Sequence, residues 1–461
     1  MDSHMKVKNI CVVGGGISGL SVLHYLKKKY AGRTDIHIQL FEKNPYPGGT
    51  IQTIHEGGWL FECGPNGFLD SKLSILQLTR DLGLEDQLLP AGPQSRARFL
   101  FIHNRLHAIP TDFVSFWKFA PLSVLDKLRI PAELFTRRAD HPDETVYEFG
   151  RRHFGENCTT TFLDALIQGI YAGDIRRLHL RSIFPKLYDL EQKYGSLLKA
   201  LIHSRRENPL GVGGFVTFKK GMSQLVQRFH ERYKDSILVN HEVSIVSQKK
   251  DGFIVHSNEK VYDADELFLC TPAGHASMIT KSLNETLSAQ LSKIPYVSIA
   301  VAGLIYKKAI FPQPPSGFGY LTPSSEKREV LGVLFDSQIF PQRSDPNVEQ
   351  FRVMIGGAHH PQIISKPETE FLRMANNEIR SVFKLPQKEE PLHAFMAVWP
   401  KAIPQYNVEE VLTRRNIENE ISKIKKFHIV SNYLGGISLN DCVRNAQAAA
   451  ERSSLKDGKS Y

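Results

Sequence analysis

The stretch Gly14-Gly-Gly-Ile-Ser-Gly19 spaces its glycines as G-x-G-x-x-G. Between a strand and a helix, that spacing suits an anionic ligand. Gly14 permits the tight turn, Gly16 lets the backbone approach a pyrophosphate, and Gly19 lets the helix pack closely on the strand. Gly15, Ile17 and Ser18 complete the loop, and the helix N-terminus faces the anion. Glu42 follows Gly19 by 23 residues. There its carboxylate can accept from a ribose 2′-hydroxyl, and it would repel a 2′-phosphate. NAD and FAD share this fingerprint, so these residues define a dinucleotide site and leave the cofactor open.

No other chemistry competes with it. Ser438 is not in a G-x-S-x-G elbow, and HExxH and DxDxDG motifs are absent. His359-His360 has no third ligand nearby in sequence, so no metal is expected. Cys11, Cys63, Cys158, Cys270 and Cys442 lie far apart without a C-x-x-C pair. Neither a zinc site nor a disulfide framework fits, and a reducing compartment is expected. A dinucleotide without a nucleophile suits chemistry carried by the cofactor, with the protein supplying orientation and dielectric.

The elements needed to hold such a site are legible. Residues 6–13 read as a buried strand, and a helix runs from the glycine turn to about residue 29. Residues 35–42 alternate as a second strand, giving a βαβ opening. Residues 99–218 interleave aromatic and basic side chains with helical periodicity. Residues 237–270 are rich in strands, which recur over 297–355. Helices are expected over 368–383 and 408–424. Tyr433-Leu-Gly-Gly-Ile-Ser-Leu-Asn-Asp-Cys-Val443 reads as a strand, a glycine turn and a helix start, followed by an alanine-rich helix.

At 461 residues the chain exceeds what a single core supports, so two or three domains are expected. Its net charge of +10 suits a polyanionic partner such as an anionic membrane or a carboxylate-bearing substrate. Part of the excess lies in Arg176, Arg177, Arg181, Lys186, Lys193, Lys199, Arg205 and Arg206, which read equally as a solvated helical face. No nucleic-acid-binding signature accompanies them. Met1–His4 resemble an expression scar, with Met5 the expected natural start and no signal peptide. The longest apolar stretch, 297–306, falls short of the ~20 residues of a spanning helix. A membrane, if met, would be met from its surface.

Immediately after Glu42 comes Lys43-Asn-Pro-Tyr-Pro-Gly-Gly-Thr50. Here the chain resembles the large flavoprotein family of amine oxidases and porphyrinogen oxidases, in which a Gly-Gly loop passes close to the flavin. Gly48 and Gly49 match, between Lys43 and Thr50. The arginines that commonly flank the pair are replaced by Tyr46 and Thr50, which speaks against an amine oxidase of the usual pattern. The family's C-terminal segment returns to the FAD domain. Ile437, Ser438 and Leu439 match it, at a helix N-terminus suited to flavin or phosphate. The resemblance also implies FAD contacts from Gly64, Pro65, Asn66, Gly67, Val243 and Trp399.

Further stretches narrow the resemblance. Arg98-Phe-Leu-Phe-Ile-His-Asn-Arg-Leu-His-Ala-Ile-Pro-Thr111, Pro142-Asp-Glu-Thr-Val146, Gly317-Phe-Gly-Tyr-Leu321, Pro323-Ser-Ser-Glu326, Val330-Leu-Gly-Val-Leu-Phe-Asp-Ser337 and Ile403-Pro-Gln-Tyr406 resemble the protoporphyrinogen oxidases. These are the oxygen-dependent, FAD-containing porphyrinogen oxidase family, and the mitochondrial type is the most similar. The resemblance covers residues 10–450. It implies FAD, a porphyrinogen substrate, oxygen as acceptor and peripheral membrane attachment. Arg98 matches an arginine that pairs with a substrate propionate. Phe318, Leu321, Leu334 and Met354 match positions lining a macrocycle slot, with Gly319 and Gly173 on its walls. Trp399 matches a position near the flavin.

The expected fold is therefore α/β. A discontinuous FAD-binding domain (6–90, 219–275 and 395–461) would carry a mixed-sheet substrate domain (276–394) and a mostly helical membrane-contacting domain (99–218). The implied activity is oxidation of protoporphyrinogen IX to protoporphyrin IX with release of hydrogen peroxide. Alternatives are coproporphyrinogen III oxidation, an amine or carotenoid oxidoreductase, and a non-catalytic flavin- or porphyrin-binding protein. The expected place is the cytoplasmic face of the inner membrane, or the mitochondrial inner membrane in a eukaryote. A homodimer is compatible with all of this.

Overall fold

Ile10, Cys11, Val12 and Val13 are buried, and their strand, Lys8–Val13, is the centre of a five-stranded parallel sheet. A central parallel strand is covered on both faces, which is why its sequence is continuously apolar. The order across the sheet is Ile237–Leu238, Ile36–Phe41, Lys8–Val13, Glu266–Leu269 and Phe427–Ile429. Its strands come from the beginning, middle and end of the chain. The computed structural model describes residues 7–139, 141–204 and 213–455. Met1–His4, Arg205 and Arg206 lie outside the described residues.

Two helices flank the glycine turn. Ile17–Lys29 packs Leu20, Val22, Leu23 and Leu26 into the same core as Val443, Ala446, Ala449 and Ala450 of Leu439–Arg452. Alanines on the second helix let the two approach closely. At one end, the Ser18 side chain lies beside the Cys442 thiol. At the other, Lys29 Nζ donates to the carbonyls of Ala450 (3.1 Å), Glu451 (2.7 Å) and Ser453 (2.5 Å). The helices therefore run parallel, and both N-termini point the same way.

The strand expected at the start of 433–443 is corrected. Val430 N–H makes a last bond to the Leu269 carbonyl, and Leu434 N–H then turns back to Ser431. The strand itself is Phe427–Ile429.

A seven-stranded mixed sheet forms the second layer. Its order is His393–Pro404, Tyr296–Lys307, Val348–Gly356, Val330–Phe335, Gly319–Leu321, Arg98–Ile102 and Arg105–Ala108. All pairs are antiparallel except Gly319–Leu321 with Arg98–Ile102. Tyr306, Tyr320, Val333, Phe335, Phe351 and Val353 share a core with Phe371, Ala375 and Ile379 of the helix Glu368–Phe383. The pairing register puts Val301, Gly303, Gly332, Leu334, Arg352 and Met354 on the opposite face. That face meets the dinucleotide domain: a Cβ at Gly303 would sit 2.5 Å from the Phe61 ring.

Between the sheets in sequence lie the helices from Phe113–Lys118 to Leu197–Ser204. The 98–108 hairpin that precedes them belongs to the mixed sheet, and Phe215–Phe218 pairs with Phe68–Leu69 and Leu88–Pro90. The α/β class with a mixed sheet and many helices is the one expected. Among the described residues, no helix is long and apolar enough to cross a membrane.

Candidate active site

The glycine turn is shaped by close approaches that explain its composition. Gly14 has φ +104°, and a Cβ there would lie 2.8 Å from the Cys270 carbonyl. A Cβ at Gly19 would stand 1.9 Å from the Gly14 carbonyl, so helix and turn touch backbone to backbone. Gly16 differs: nothing lies within 4 Å of where its Cβ would be. Open space at the first turn of a helix is what a pyrophosphate needs.

The second segment lies directly on the first. Gly48 N–H donates to the Gly15 carbonyl at 2.7 Å, and a Cβ at Gly49 would be 3.3 Å from the Gly16 Cα. Buried Glu42 is fixed by Gly15 N–H at 2.8 Å on one oxygen and by the Asn44 N–H and Nδ2, each at 2.8 Å, on the other. Lys43 and Thr50 are exposed beside it. The strand Val243–Lys249 begins nearby, because His241 N–H bonds to the Glu42 carbonyl at 2.8 Å and Asn240 N–H to the Asn44 carbonyl at 3.1 Å.

The third segment closes the cradle. Ser438 caps the last helix by accepting from Asp441 N–H at 3.1 Å. Leu439 packs with Ile17 on the dinucleotide core, whereas Ile437 packs on a cluster holding Tyr171 and Tyr406. Two parallel helix N-termini add their partial positive charges at one place. With the opening at Gly16 and the oriented Glu42 carboxylate, these residues fit a dinucleotide.

The loop Gly64-Pro-Asn-Gly67 joins this cradle to the mixed sheet. A Cβ at Gly64 would meet the Thr50 carbonyl at 1.8 Å, and one at Gly67 would meet the Val216 carbonyl at 2.3 Å and the Phe215 ring at 2.9 Å. Phe215 packs edge-on against Phe318 at 5.3 Å, and the Arg98 guanidinium lies 5.0 Å over the Phe318 ring. Leu334 belongs to the same cluster. Trp399 Nε1 donates to the Cys63 carbonyl at 2.8 Å, one residue before the loop. So Arg98, Phe318, Leu334 and Trp399 are all tied to the loop's surroundings.

Leu321, Met354 and Gly173 form a second group. A Cβ at Gly169, in the helix Asp164–Tyr171, would meet Leu321 at 2.7 Å, so that helix covers Leu321. Met354 packs with Ala172, next to Gly173. Gly173 itself abuts Leu178 and the Gln405 side chain. The need for glycine at 319 comes from the strand: φ is +139°, and a Cβ would stand 2.1 Å from the Val333 carbonyl.

Sequence reasoning missed a buried charged cluster behind the loop. Glu62 accepts from Arg343 Nη2 and from Met222 N–H, each at 2.9 Å. Arg352 donates to the Gly64 carbonyl and leaves its Nε without a partner. Asp336 accepts from Asn66 Nδ2 at 3.0 Å. Burial pushes the Asp336 carboxyl up to about 6, against the pull of Arg352 and Arg343. The available signal was an arginine inside the otherwise strand-like Phe351-Arg-Val-Met-Ile355, since a buried charge is retained only when paired.

Residues 17–452 match the flavin containing amine oxidoreductases, and the chain belongs to that family. It is a flavoprotein oxidoreductase with FAD as its cofactor. The chloroplastic protoporphyrinogen oxidase 1 of Spinacia oleracea is 28% identical to it, over 96% of this chain and 84% of that protein. The coproporphyrinogen III oxidase of Bacillus subtilis is 24% identical over 96% and 97%. The fold matches the crystal structure of a candidate protoporphyrinogen oxidase from Exiguobacterium sp. 255-15 with a TM-score of 0.82. That match covers 97% of this chain and 98% of the other, at 20% identity.

Proposed function

We propose that this chain oxidises protoporphyrinogen IX to protoporphyrin IX, with oxygen as acceptor and hydrogen peroxide as product. The observation that carries the reading is the path from cradle to sheet: Gly67 to Phe215, Phe215 to Phe318, and Phe318 to Arg98. It sets a cation at the rim of an apolar face that adjoins a dinucleotide cradle. The relatives that share nearly the whole chain act on porphyrinogens, by name.

In this reading Gly14–Gly19, Glu42, Lys43, Gly48–Thr50, the backbone of Gly64–Gly67, Val243, Trp399 and Ile437–Leu439 hold the cofactor. FAD held by these residues would supply the hydride-accepting chemistry, in about three two-electron rounds per macrocycle, each returning its electrons to oxygen as hydrogen peroxide. The protein binds and orients the methylene bridge that loses the hydride. Arg98 pairs with a propionate through a planar, bidentate guanidinium, already held over Phe318. Phe318, Leu321, Leu334 and Met354 give the macrocycle apolar walls and keep water away. Gly173 and Gly319 complete those walls with backbone.

The same reading assigns 6–90, 219–275 and the part of 395–461 after residue 404 to the FAD domain, because His393–Pro404 pairs into the mixed sheet instead. Residues 276–394 with that strand and the 98–108 hairpin form the substrate domain, and the helices from Phe113–Lys118 to Leu197–Ser204 supply the membrane contact expected of 99–218. Phe113 (73% exposed), Leu125 (78%) and Phe135 (86%) support the last assignment, with Val114, Val124 and Leu128 beside them. Together they give the protein a peripheral attachment, at the cytoplasmic face of the inner membrane or at the mitochondrial inner membrane.

Coproporphyrinogen III is the second reading, favoured by the Bacillus relative and the basic run. Two of those charges are already engaged: Arg176 stacks on Tyr147 and pairs with Glu156, and Arg177 pairs with Glu409. The purified protein should be yellow and generate porphyrin fluorescence from protoporphyrinogen IX. A colourless protein unable to take up FAD ends the proposal. Much faster turnover of coproporphyrinogen III transfers it to that substrate.

A further inference from the structure

Asn66 and Asp336 are 270 positions apart in sequence and meet where the cofactor loop adjoins the mixed sheet. Both side chains are buried. A primary amide is planar, with its donors on one edge and its acceptor on the other. The Nδ2 edge of Asn66 is committed to Asp336 Oδ1, so its carbonyl oxygen is turned away. Among the described residues no donor reaches that oxygen.

The surroundings tie this pair to residues of the proposed slot. Asp336 lies two residues beyond Leu334 in sequence. Leu334 is paired across the strands with Arg352, which donates to the Gly64 carbonyl two residues before Asn66. An ionised carboxylate only accepts, so while Asp336 is charged the amide has one allowed orientation. The groups facing Asp336 are Arg352 and Arg343 as counter-charges, Glu62 as a like charge, and Asn66 as donor.

We propose that Asp336 is a positioning residue that locks the Asn66 amide with its oxygen toward the slot, as the acceptor for an N–H donor on the bound ligand. The inference rests on the porphyrinogen reading, because a porphyrinogen carries pyrrole N–H donors within its ring. It adds a polar determinant to a slot otherwise described by apolar walls and one arginine. Protonating Asp336 turns it into a donor and lets the amide invert. With the carboxyl raised to about 6, the locked orientation is lost as pH falls through mildly acidic values.

The test compares Asp336→Asn, Asn66→Ala, the double variant and Asp336→Glu in the flavin-loaded protein. Steady-state turnover of protoporphyrinogen IX gives KM and kcat. Quenching of intrinsic fluorescence by protoporphyrin IX gives binding without turnover. Asp336→Asn should raise KM and weaken porphyrin binding by about tenfold, the scale of one buried hydrogen bond. Its flavin spectrum should be that of the wild type, and the acid limb of kcat/KM should be absent. Asn66→Ala should match the binding loss, the double variant should add nothing, and Asp336→Glu should restore part of it. Wild-type KM, binding and pH profile in Asp336→Asn would overturn the proposal, as would losses that simply add. Should Asp336→Asn fail to fold, wild-type porphyrin binding by Asn66→Ala overturns it alone. A wild-type protein without flavin or turnover refutes the functional reading before any variant is made, and takes this inference with it.

Discussion

The Arg98 guanidinium rests 5.0 Å above the ring of Phe318, and the backbones of Arg98 and Gly319 pair in parallel strands. The arginine is exposed at the start of its strand, yet its head lies over an aromatic face rather than free in solvent. A cation over a ring retains its outward N–H groups for a carboxylate.

Arg98→Ala should therefore raise KM for protoporphyrinogen IX by about tenfold with little change in kcat. A remote charge pair holds substrate and transition state about equally well. Steady-state kinetics by porphyrin fluorescence check this, and an unchanged KM removes Arg98 from the site.

Gly16 and Gly19 should respond in opposite ways to the same substitution. Gly19→Ala drives a Cβ to within 1.9 Å of the Gly14 carbonyl and should lower stability by ~1–3 kcal/mol or more. Gly16→Ala places its methyl in open space, so the fold should survive while flavin uptake falls. Denaturant titration and flavin absorbance of the purified variants separate the two outcomes.

Stability should decline in mild acid. His24 bonds to Tyr233 at 2.8 Å and to Asp81 at 3.2 Å. Burial holds its pKa below the usual imidazole value, assisted by Arg232 and Lys28 against the opposing pull of Asp81. Burial likewise lowers His179 and His275. For a lowered histidine, the stabilising contribution is complete above the unfolded value of about 6.5 and is lost as pH falls through the folded value. Thermal melts from about pH 7.5 to about pH 5.5 should show a falling midpoint, and the fall should be shallower in His24→Gln.

The exposed apolar side chains of the helical region predict a membrane phenotype separable from turnover. Replacing Phe113, Leu125 and Phe135 by serine should reduce co-sedimentation with phospholipid vesicles by at least about tenfold. Turnover of detergent-solubilised porphyrinogen should stay near the wild-type rate. Unchanged vesicle binding would move the contact elsewhere.

How much was legible depended on range. The glycine turn, the helix behind it and Glu42 follow from local spacing, and their partners lie within one βαβ unit. The mixed sheet's strands within 296–356 were visible as apolar runs, whereas His393–Pro404, read as part of the FAD domain, and the insertion of 98–108 at the sheet's edge were not. That pairing joins Arg98 to Gly319 across more than two hundred residues, and no local pattern encodes it. The buried group of Glu62, Asp336, Arg343 and Arg352 was missed for a similar reason. Each charge looks like a surface residue until the fold supplies its partner. Glycines 173 and 319 were read as room beside a ring, and here each is also demanded by neighbouring backbone or packing.

The clasp from Lys29 to the last helix has a consequence for biosynthesis. Lys29 and Ala450 are 421 positions apart, so the nucleotide cradle gains this wall only after the helix Leu439–Arg452 has left the ribosome. The early strand–turn–helix waits, incomplete, until that helix is made. Cofactor loading accordingly follows synthesis of the helix, and chains cut short before Leu439 should yield apoprotein prone to degradation.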